Sequence, residues 1–195
     1  MNFGAVILCG GKSSRMGTDK ALLTIGGKTF LEHICIELSE FDELIISYGS
    51  LHKYAEIKYP VVSDIYTGCG PMGGIHTALT VCKSDALLVL SCDMPLFRRE
   101  LGKYLCSQLK EDKTAVVTAA SDGRIHPLCA VYRKAAAVTF EQFLKAGNFR
   151  MCDALKCLNV EYARLNETSC MESWLRNVNT PEEYKAISDW EVNIE

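Results

Sequence analysis

The chain has 195 residues, 48% of them hydrophobic and 23% charged, with a formal net charge of −3. That is enough apolar material for one sizeable core, so a single domain is expected, and the weak acidic balance gives no global field that would collect nucleic acid. No run approaches the roughly 20 consecutive apolar residues that span a bilayer, so no membrane helix is expected either.

The first predicted element is Gly4–Cys9, a continuous apolar run that leads into Gly10-Gly11-Lys12. It reads as a buried parallel strand ending at a site rather than as a signal peptide, which makes a cytoplasmic location the expectation. Phe30–Leu38 spaces Leu31, Ile34, Cys35 and Leu38 along one helical face. Leu44–Ile46 predicts a second strand, and Pro60–Val62 a third that ends at Ser63-Asp64. Gly73–Cys82 is a predicted helix with Pro71 near its start. Ala86–Ser91 is the strongest buried strand and runs into Cys92-Asp93-Met94-Pro95; Glu100–Leu109 is helical, and Thr114–Ala119 is another strand.

Alternating strands and helices indicate an α/β layer with a mostly parallel sheet. Ligands in such sheets bind beyond the carboxyl ends of the strands, so Leu8-Cys9, Ser63-Asp64 and Cys92-Asp93 should face one crevice. The second half is less regular. His126–Tyr132 reads as a strand with Pro127 at its start, Ala135–Leu144 as a helix and Leu158–Leu165 as a strand. Thr180-Pro181-Glu182-Glu183 is a helix start with Thr as N-cap, and the acidic residues after Trp190 should fray.

Ten cysteines raise the question of a disulfide scaffold or a metal site, but there is no C-x-x-C pair, and Cys152 and Cys157 lie five apart. Cys9, Cys35, Cys82, Cys92 and Cys129 sit in apolar runs, where a thiol packs as a small hydrophobe. Buried or semi-buried thiols in a reducing compartment are expected.

Four motifs carry chemistry. In the segment from Leu8 to Lys20 a strand runs into two glycines that let backbone N–H groups approach a ligand, and Lys12, Arg15 and Lys20 add cations suited to a triphosphate and its departing pyrophosphate. It is neither a Walker A loop, which needs glycine where Val6 stands, nor a G-x-G-x-x-G fingerprint. Asp93, at the end of the strongest strand, can hold Mg²⁺ or else cap a helix beginning near Leu96. Asp64 precedes the glycines of 68–74, which permit close approach to a flat base or pterin or form a surface loop. Asn179, in Asn177-Val178-Asn179-Thr180-Pro181, either caps a helix or also offers its amide to a ligand or metal.

In this order the motifs resemble the MobA-like NTP transferases, and among them the molybdenum cofactor guanylyltransferases. The signature L-x-G-G-x-S-x-R-M-G-x-D-K is matched from Leu8 to Lys20. G-P-L-x-G corresponds to Gly70-Pro71-Met72-Gly73-Gly74, C-D-x-P to Cys92–Pro95, the H-P strand to His126-Pro127 and N-x-N-T-P to Asn177–Pro181. The chain departs from the pattern with Cys9 for alanine, Met72 for leucine, and Ser47 where related sequences often have asparagine.

The resemblance implies a Rossmann-like three-layer nucleotidyltransferase fold of the nucleotide-diphospho-sugar transferase type. The nucleotide half would span about residues 1–120 and the acceptor half about 121–190. It implies transfer of GMP from GTP to molybdenum-molybdopterin with release of pyrophosphate and Mg²⁺ as cofactor. Transient contact with molybdopterin-insertion proteins or molybdoenzymes would follow.

By position the resemblance implies that Leu8, Cys9, Gly10 and Gly11 would line the nucleotide site, Arg15 and Lys20 would contact its phosphates, Asp64 would share the pocket, and Asp93 would bind nucleotide and metal. Gly70, Gly74, Asn177 and Asn179 fall to the acceptor. Arg150 either pairs with an acceptor phosphate or is surface charge, and His126 is structural or faces the pterin. The rivals are a cytidylyltransferase, a sugar- or polyol-phosphate nucleotidyltransferase, a non-catalytic nucleotide-binding protein, and a redox or metal protein using the cysteines.

Overall fold

The computed structural model describes residues 1–9, 20–49, 58–166 and 170–191, apart from the side chains of 188–191. The strands are β1 (Phe3–Leu8), β2 (Thr24–Ile25), β3 (Lys28–Thr29), β4 (Leu44–Ser47), β5 (Val61–Val62), β6 (Ala86–Ser91), β7 (Ala115–Ala119), β8 (Ile125–Arg133) and β9 (Val160–Arg164). The helices are α1 (Phe30–Glu37), α2 (Pro71–Val81), α3 (Arg99–Ser107), α4 (Ala136–Lys145), α5 (Met151–Leu155) and α6 (Pro181–Glu191), with short 3-10 turns at Lys20–Leu22 and Cys170–Leu175.

Seven strands form one sheet in the order β5-β4-β1-β6-β8-β7-β9, and β2 pairs with β3 in a separate hairpin. Within the seven-stranded sheet β8 is antiparallel to both its neighbours, and the other pairings are parallel. Helices cover both faces, which is why β1 and β6 are apolar on consecutive residues, with Ser91 the polar end of β6, rather than on alternate ones. Ala5 and Ile7 of β1 face a core with Ile34 of α1 and with Leu101 and Leu105 of α3. Val6 and Leu8 face the opposite core, with Ile75 of α2, Phe140 of α4 and Leu155 of α5. The result is a three-layer α/β/α fold.

Local signals set the helix starts. Thr29 and Glu32 form a capping box on α1: Glu32 N–H donates to Thr29 Oγ1 at 3.1 Å and Thr29 N–H to Glu32 Oε2 at 2.6 Å. Gly70 caps α2 at φ +65°, a backbone that a Cβ would strain, and Pro71 supplies the first helical position.

Several expectations need adjustment. β8 begins at Ile125, and its chain direction opposes the rest of the sheet. A register shift between Val117 and Thr118 bends the β7–β8 pair near the carboxyl edge. The β2–β3 hairpin and α5 were not expected, because two-residue strands and a five-residue helix are too short to show a period. The five cysteines in apolar runs are buried, and burial pushes the Cys35 and Cys129 thiols up to about 12. Cys152, Cys157 and Cys170, however, are exposed, which corrects the expectation of burial for them. No helix among the described residues is long and apolar enough to cross a membrane.

Candidate active site

The ends of three adjacent strands are level. Leu8 of β1 is in register with Ser47 of β4 on one side and with Ser91 of β6 on the other. Backbone bonds continue past the strands, from Cys9 N–H to the Ser47 carbonyl (2.8 Å) and from Cys92 N–H to the Leu8 carbonyl (3.1 Å). Residue 93 therefore leaves β6 from a fixed ledge. Its own carbonyl accepts from Val178 N–H at 2.8 Å, and Val178 is fully buried.

Asp93 Oδ2 lies 3.6 Å from Lys20 Nζ, and both side chains are largely covered. Lys20 Nζ donates to Asn179 Oδ1 at 2.6 Å. The other carboxylate oxygen, Asp93 Oδ1, is buried and has no hydrogen-bond partner among the described residues. An unpaired buried oxygen is costly unless something else satisfies it. Among the described residues no three His, Cys, Asp or Glu side chains come together as a metal cluster. A lone carboxylate fits Mg²⁺, which takes one or two protein carboxylates and completes its shell from phosphates and water. The alternative that Asp93 caps a helix is overturned: α3 starts only at Arg99, with Arg98 as its N-cap.

The C-terminal segment holds this cluster in place. Thr180 Oγ1 accepts from Glu183 N–H (3.2 Å), while Glu183 Oε2 accepts from the N–H groups of Thr180 (3.0 Å) and Asn179 (2.6 Å). Thr180 is thus the cap of α6, and the amide of Asn179 is left for Lys20, which corrects the reading of Asn179 as a cap. Val178 and Ile187 pack against Ile25 and Phe30, and Tyr184 donates its hydroxyl to the Thr24 carbonyl at 2.6 Å. The hairpin that follows Lys20 and the helix that follows Asn179 are one packed unit. Glu183 and Val178 were missed as positioning residues, although the T-x-x-E spacing from Thr180 was visible in the sequence.

Asp64 lies across the ledge. Ser47 Oγ donates to Asp64 Oδ1 at 3.2 Å, and Asp64 N–H bonds the Gly49 carbonyl at 3.3 Å. Burial raises the Asp64 pKa above the ordinary carboxylate value, against the opposing pull of the Ser47 bond. Ile65 N–H donates to Thr77 Oγ1 of α2 at 2.8 Å, and Tyr66 donates to Glu141 of α4 at 3.1 Å. Both bonds tie the Asp64 loop down.

Gly74 belongs to this packing. A Cβ there would lie 2.7 Å from Ser47 Oγ and 3.1 Å from Leu8 Cδ2, so Gly74 sits beneath the site rather than on an open acceptor surface. Gly70, by contrast, is exposed, and nothing among the described residues stands within 4 Å of the place its Cβ would take.

Leu8 and Cys9 are buried at the ledge, and Asn177 and Arg150 are exposed. β8 leaves the sheet at its amino edge, α4 returns across a face, and α5 descends again to β9. This path puts Arg150, at the α4–α5 connection, on the carboxyl edge with Asp93. Its side chain pairs with no carboxylate among the described residues. His126 is half-buried at the start of β8, and burial, followed by the nearby Arg124, pushes its pKa down. Gly10, Gly11 and Arg15, with Lys12, lie outside the described residues.

The family described as the MobA-like NTP transferase domain matches residues 5–158. A probable molybdenum cofactor guanylyltransferase of Carboxydothermus hydrogenoformans is 33% identical over 189 residues, covering 95% of each chain. One from Natranaerobius thermophilus is 36% identical over 192 residues, covering 93% of each. The crystal structure of a molybdopterin-guanine dinucleotide biosynthesis protein A from Archaeoglobus fulgidus superposes with a TM-score of 0.84, at 24% identity and over the whole of both chains.

Proposed function

The chain belongs to the MobA-like NTP transferase family, and from that premise we propose that it transfers GMP from GTP to molybdenum-molybdopterin, releasing pyrophosphate. The observation that carries this reading is the Lys20–Asp93–Asn179 cluster on the ledge, with one buried Asp93 oxygen left to satisfy. The relatives' names supply the choice of guanine and of a pterin acceptor.

In the proposed reaction a terminal phosphate oxygen of the acceptor attacks the α-phosphorus of GTP in line. A new P–O bond forms as the bond to the bridging oxygen of the β-phosphate breaks, and that oxygen leaves with pyrophosphate. The attacking phosphate is already ionised near neutral pH, so no side chain has to take a proton. Lys20 would meet the charge that builds on the departing group, with Arg15 as its proposed partner. Asn179 fixes the Lys20 ammonium, so little of its ordering remains to be done at the moment of reaction. Asp93 would hold Mg²⁺, which when bound neutralises phosphate charge and polarises the α-phosphorus. Leu8, Cys9 and the glycines after them would line the nucleotide, while Asn177, Gly70 and Arg150 would meet the acceptor.

The test is pyrophosphate release with Mg²⁺, molybdenum-loaded molybdopterin and each of GTP, CTP, ATP and UTP. Release with GTP, lost in Asp93→Ala, is expected. Release with CTP alone would keep the chemistry and change the product, and no release from folded protein with active acceptor would remove the pterin reading.

A further inference from the structure

The carboxyl edge does not end at Asp93. Beyond β6, the entering residues of β8, Ile125 to Leu128, are only half-buried, whereas Cys129 to Tyr132 are buried. This leaves the start of β8 partly uncovered at the carboxyl edge, although β7 is buried throughout. On the same edge a groove of about 640 Å³ lies between the β7–β8 turn and the end of β9. That volume is within the roughly 300–1,000 Å³ usual for small-molecule sites.

The groove is made of mixed chemistry. Ala119, Ile125 and Leu165 give it an apolar floor, and Tyr162, Arg164 and Asn166 stand along one wall. Tyr162 is 43% exposed. Alternation along β9 turns Ala163 into the core and puts Tyr162 and Arg164 together on the other face. Arg164 has no carboxylate partner among the described residues, although the neighbouring Arg124 is paired with Asp122 at 2.8 Å. The opposite wall is held firm, because Glu172 accepts from Ser121 N–H (3.1 Å) and Ser121 Oγ (2.7 Å).

We propose that this groove takes the ring end of the acceptor, a flat heteroaromatic ring with polar edges, stacked on Tyr162 with its edge read by Arg164 and Asn166. The proposal rests on the acceptor reading above and places the part of the acceptor farthest from the reacting phosphate. Neighbouring strands lie about 4.8 Å apart, so the three steps from β6 through β8 and β7 to β9 span about 14 Å. A molecule with a phosphate at one end and a fused ring at the other is of that length, while an acceptor no larger than a small polyol phosphate would leave the groove empty. An aromatic side chain with a free cation beside it is a combination that stacks on and hydrogen-bonds to a heterocycle.

The experiment measures equilibrium binding of molybdopterin and of GTP to wild type, Tyr162→Ala and Arg164→Gln, with steady-state kinetics on the same proteins. Both side chains are exposed on an edge strand, so both variants should fold. Expected are molybdopterin affinities weakened about tenfold, the scale of one lost ring stack, with a matching rise in the acceptor KM and unchanged GTP affinity and kcat. Tight molybdopterin binding that neither variant alters would overturn the groove and leave the acceptor reading standing. Equal losses of GTP and molybdopterin affinity would also overturn it, as a general disturbance. Wild type that binds no molybdopterin, yet releases pyrophosphate with another phosphate acceptor, would remove the acceptor reading and this proposal with it.

Discussion

The two halves of the carboxyl edge are built differently. At the ends of β1, β4 and β6 the strands are parallel, level and buried, and polar groups are tied to neighbours, Lys20 to Asn179, Asp64 to Ser47 and the Asp93 carbonyl to Val178, with Asp93 Oδ1 left unpaired among the described residues. At the ends of β7 and β9, with β8 running the other way between β6 and β7, the surface is open, and Tyr162 and Arg164 are exposed on it with no partner pinning them among the described residues. The first region suits charge that develops at one atom and must be met by groups already in place. The second suits recognition, where exposed groups hold a ligand in the same way before and during reaction.

That contrast predicts different kinetic signatures. Lys20→Ala should lower kcat by on the order of 10²–10³-fold, the loss typical of removing one charge-stabilising group, with little change in the acceptor KM. The groove variants should do the reverse. A Lys20→Ala enzyme whose only defect is in KM would erase the distinction.

The next effect is on stability. Gly74→Ala drives a Cβ to 2.7 Å from Ser47 Oγ, inside a region that also holds Asp64 Oδ1 at 3.5 Å. Overpacking of this kind should lower stability by about 1–3 kcal/mol in urea unfolding. Because the offending atom is a hydroxyl, Ser47→Ala in the same chain should recover part of the loss. Equal stability of the single and double variants would mean that the glycine is present for another reason.

A smaller effect is expected from the C-terminal helix. Glu183→Gln keeps the shape of the cap but weakens its bonds to the Thr180 and Asn179 N–H groups. Stability should fall by about 1 kcal/mol. Since Asn179 holds Lys20, kcat should also fall, by a few-fold, with the GTP KM hardly moved. A variant that loses stability with no change in kcat would make Glu183 a cap alone.

The same contrast explains what could be read in the sequence. Parallel strands buried on both faces announce themselves as unbroken apolar runs, so β1, β6 and the aspartate after β6 were legible, as were most of the helices. The antiparallel insertion of β8 was not, because an apolar strand carries no mark of its direction. Nor was the Lys20–Asn179 contact, which joins residues 159 positions apart and depends on the packing of Val178 and Ile187 on Ile25 and Phe30. The groove residues were passed over for a plainer reason. Tyr162 and Arg164 look like ordinary edge-strand residues until the chain brings the β7–β8 turn up beside them.

The smallest expected effect concerns Asp64, whose carboxyl is raised above its ordinary value chiefly by burial. In the unfolded chain the group ionises at the usual carboxylate pKa; in the folded chain it holds its proton to higher pH. Below the unfolded value both states are protonated and Asp64 contributes nothing to the pH dependence. Between the two values the folded state binds more protons, so stability falls as pH rises through that window, and above the folded value the full penalty persists. Asp64→Asn removes the ionisation but retains a side chain that can accept from Ser47 Oγ. Its urea midpoint should therefore improve relative to wild type on going from pH 3 to pH 7. The matched substitution at the exposed Asp122 should move the other way, since its pairing with Arg124 lowers that carboxyl's pKa. A difference of the same sign at both positions would mean that the Asp64 ledge is wetter and less tightly built than its contacts indicate.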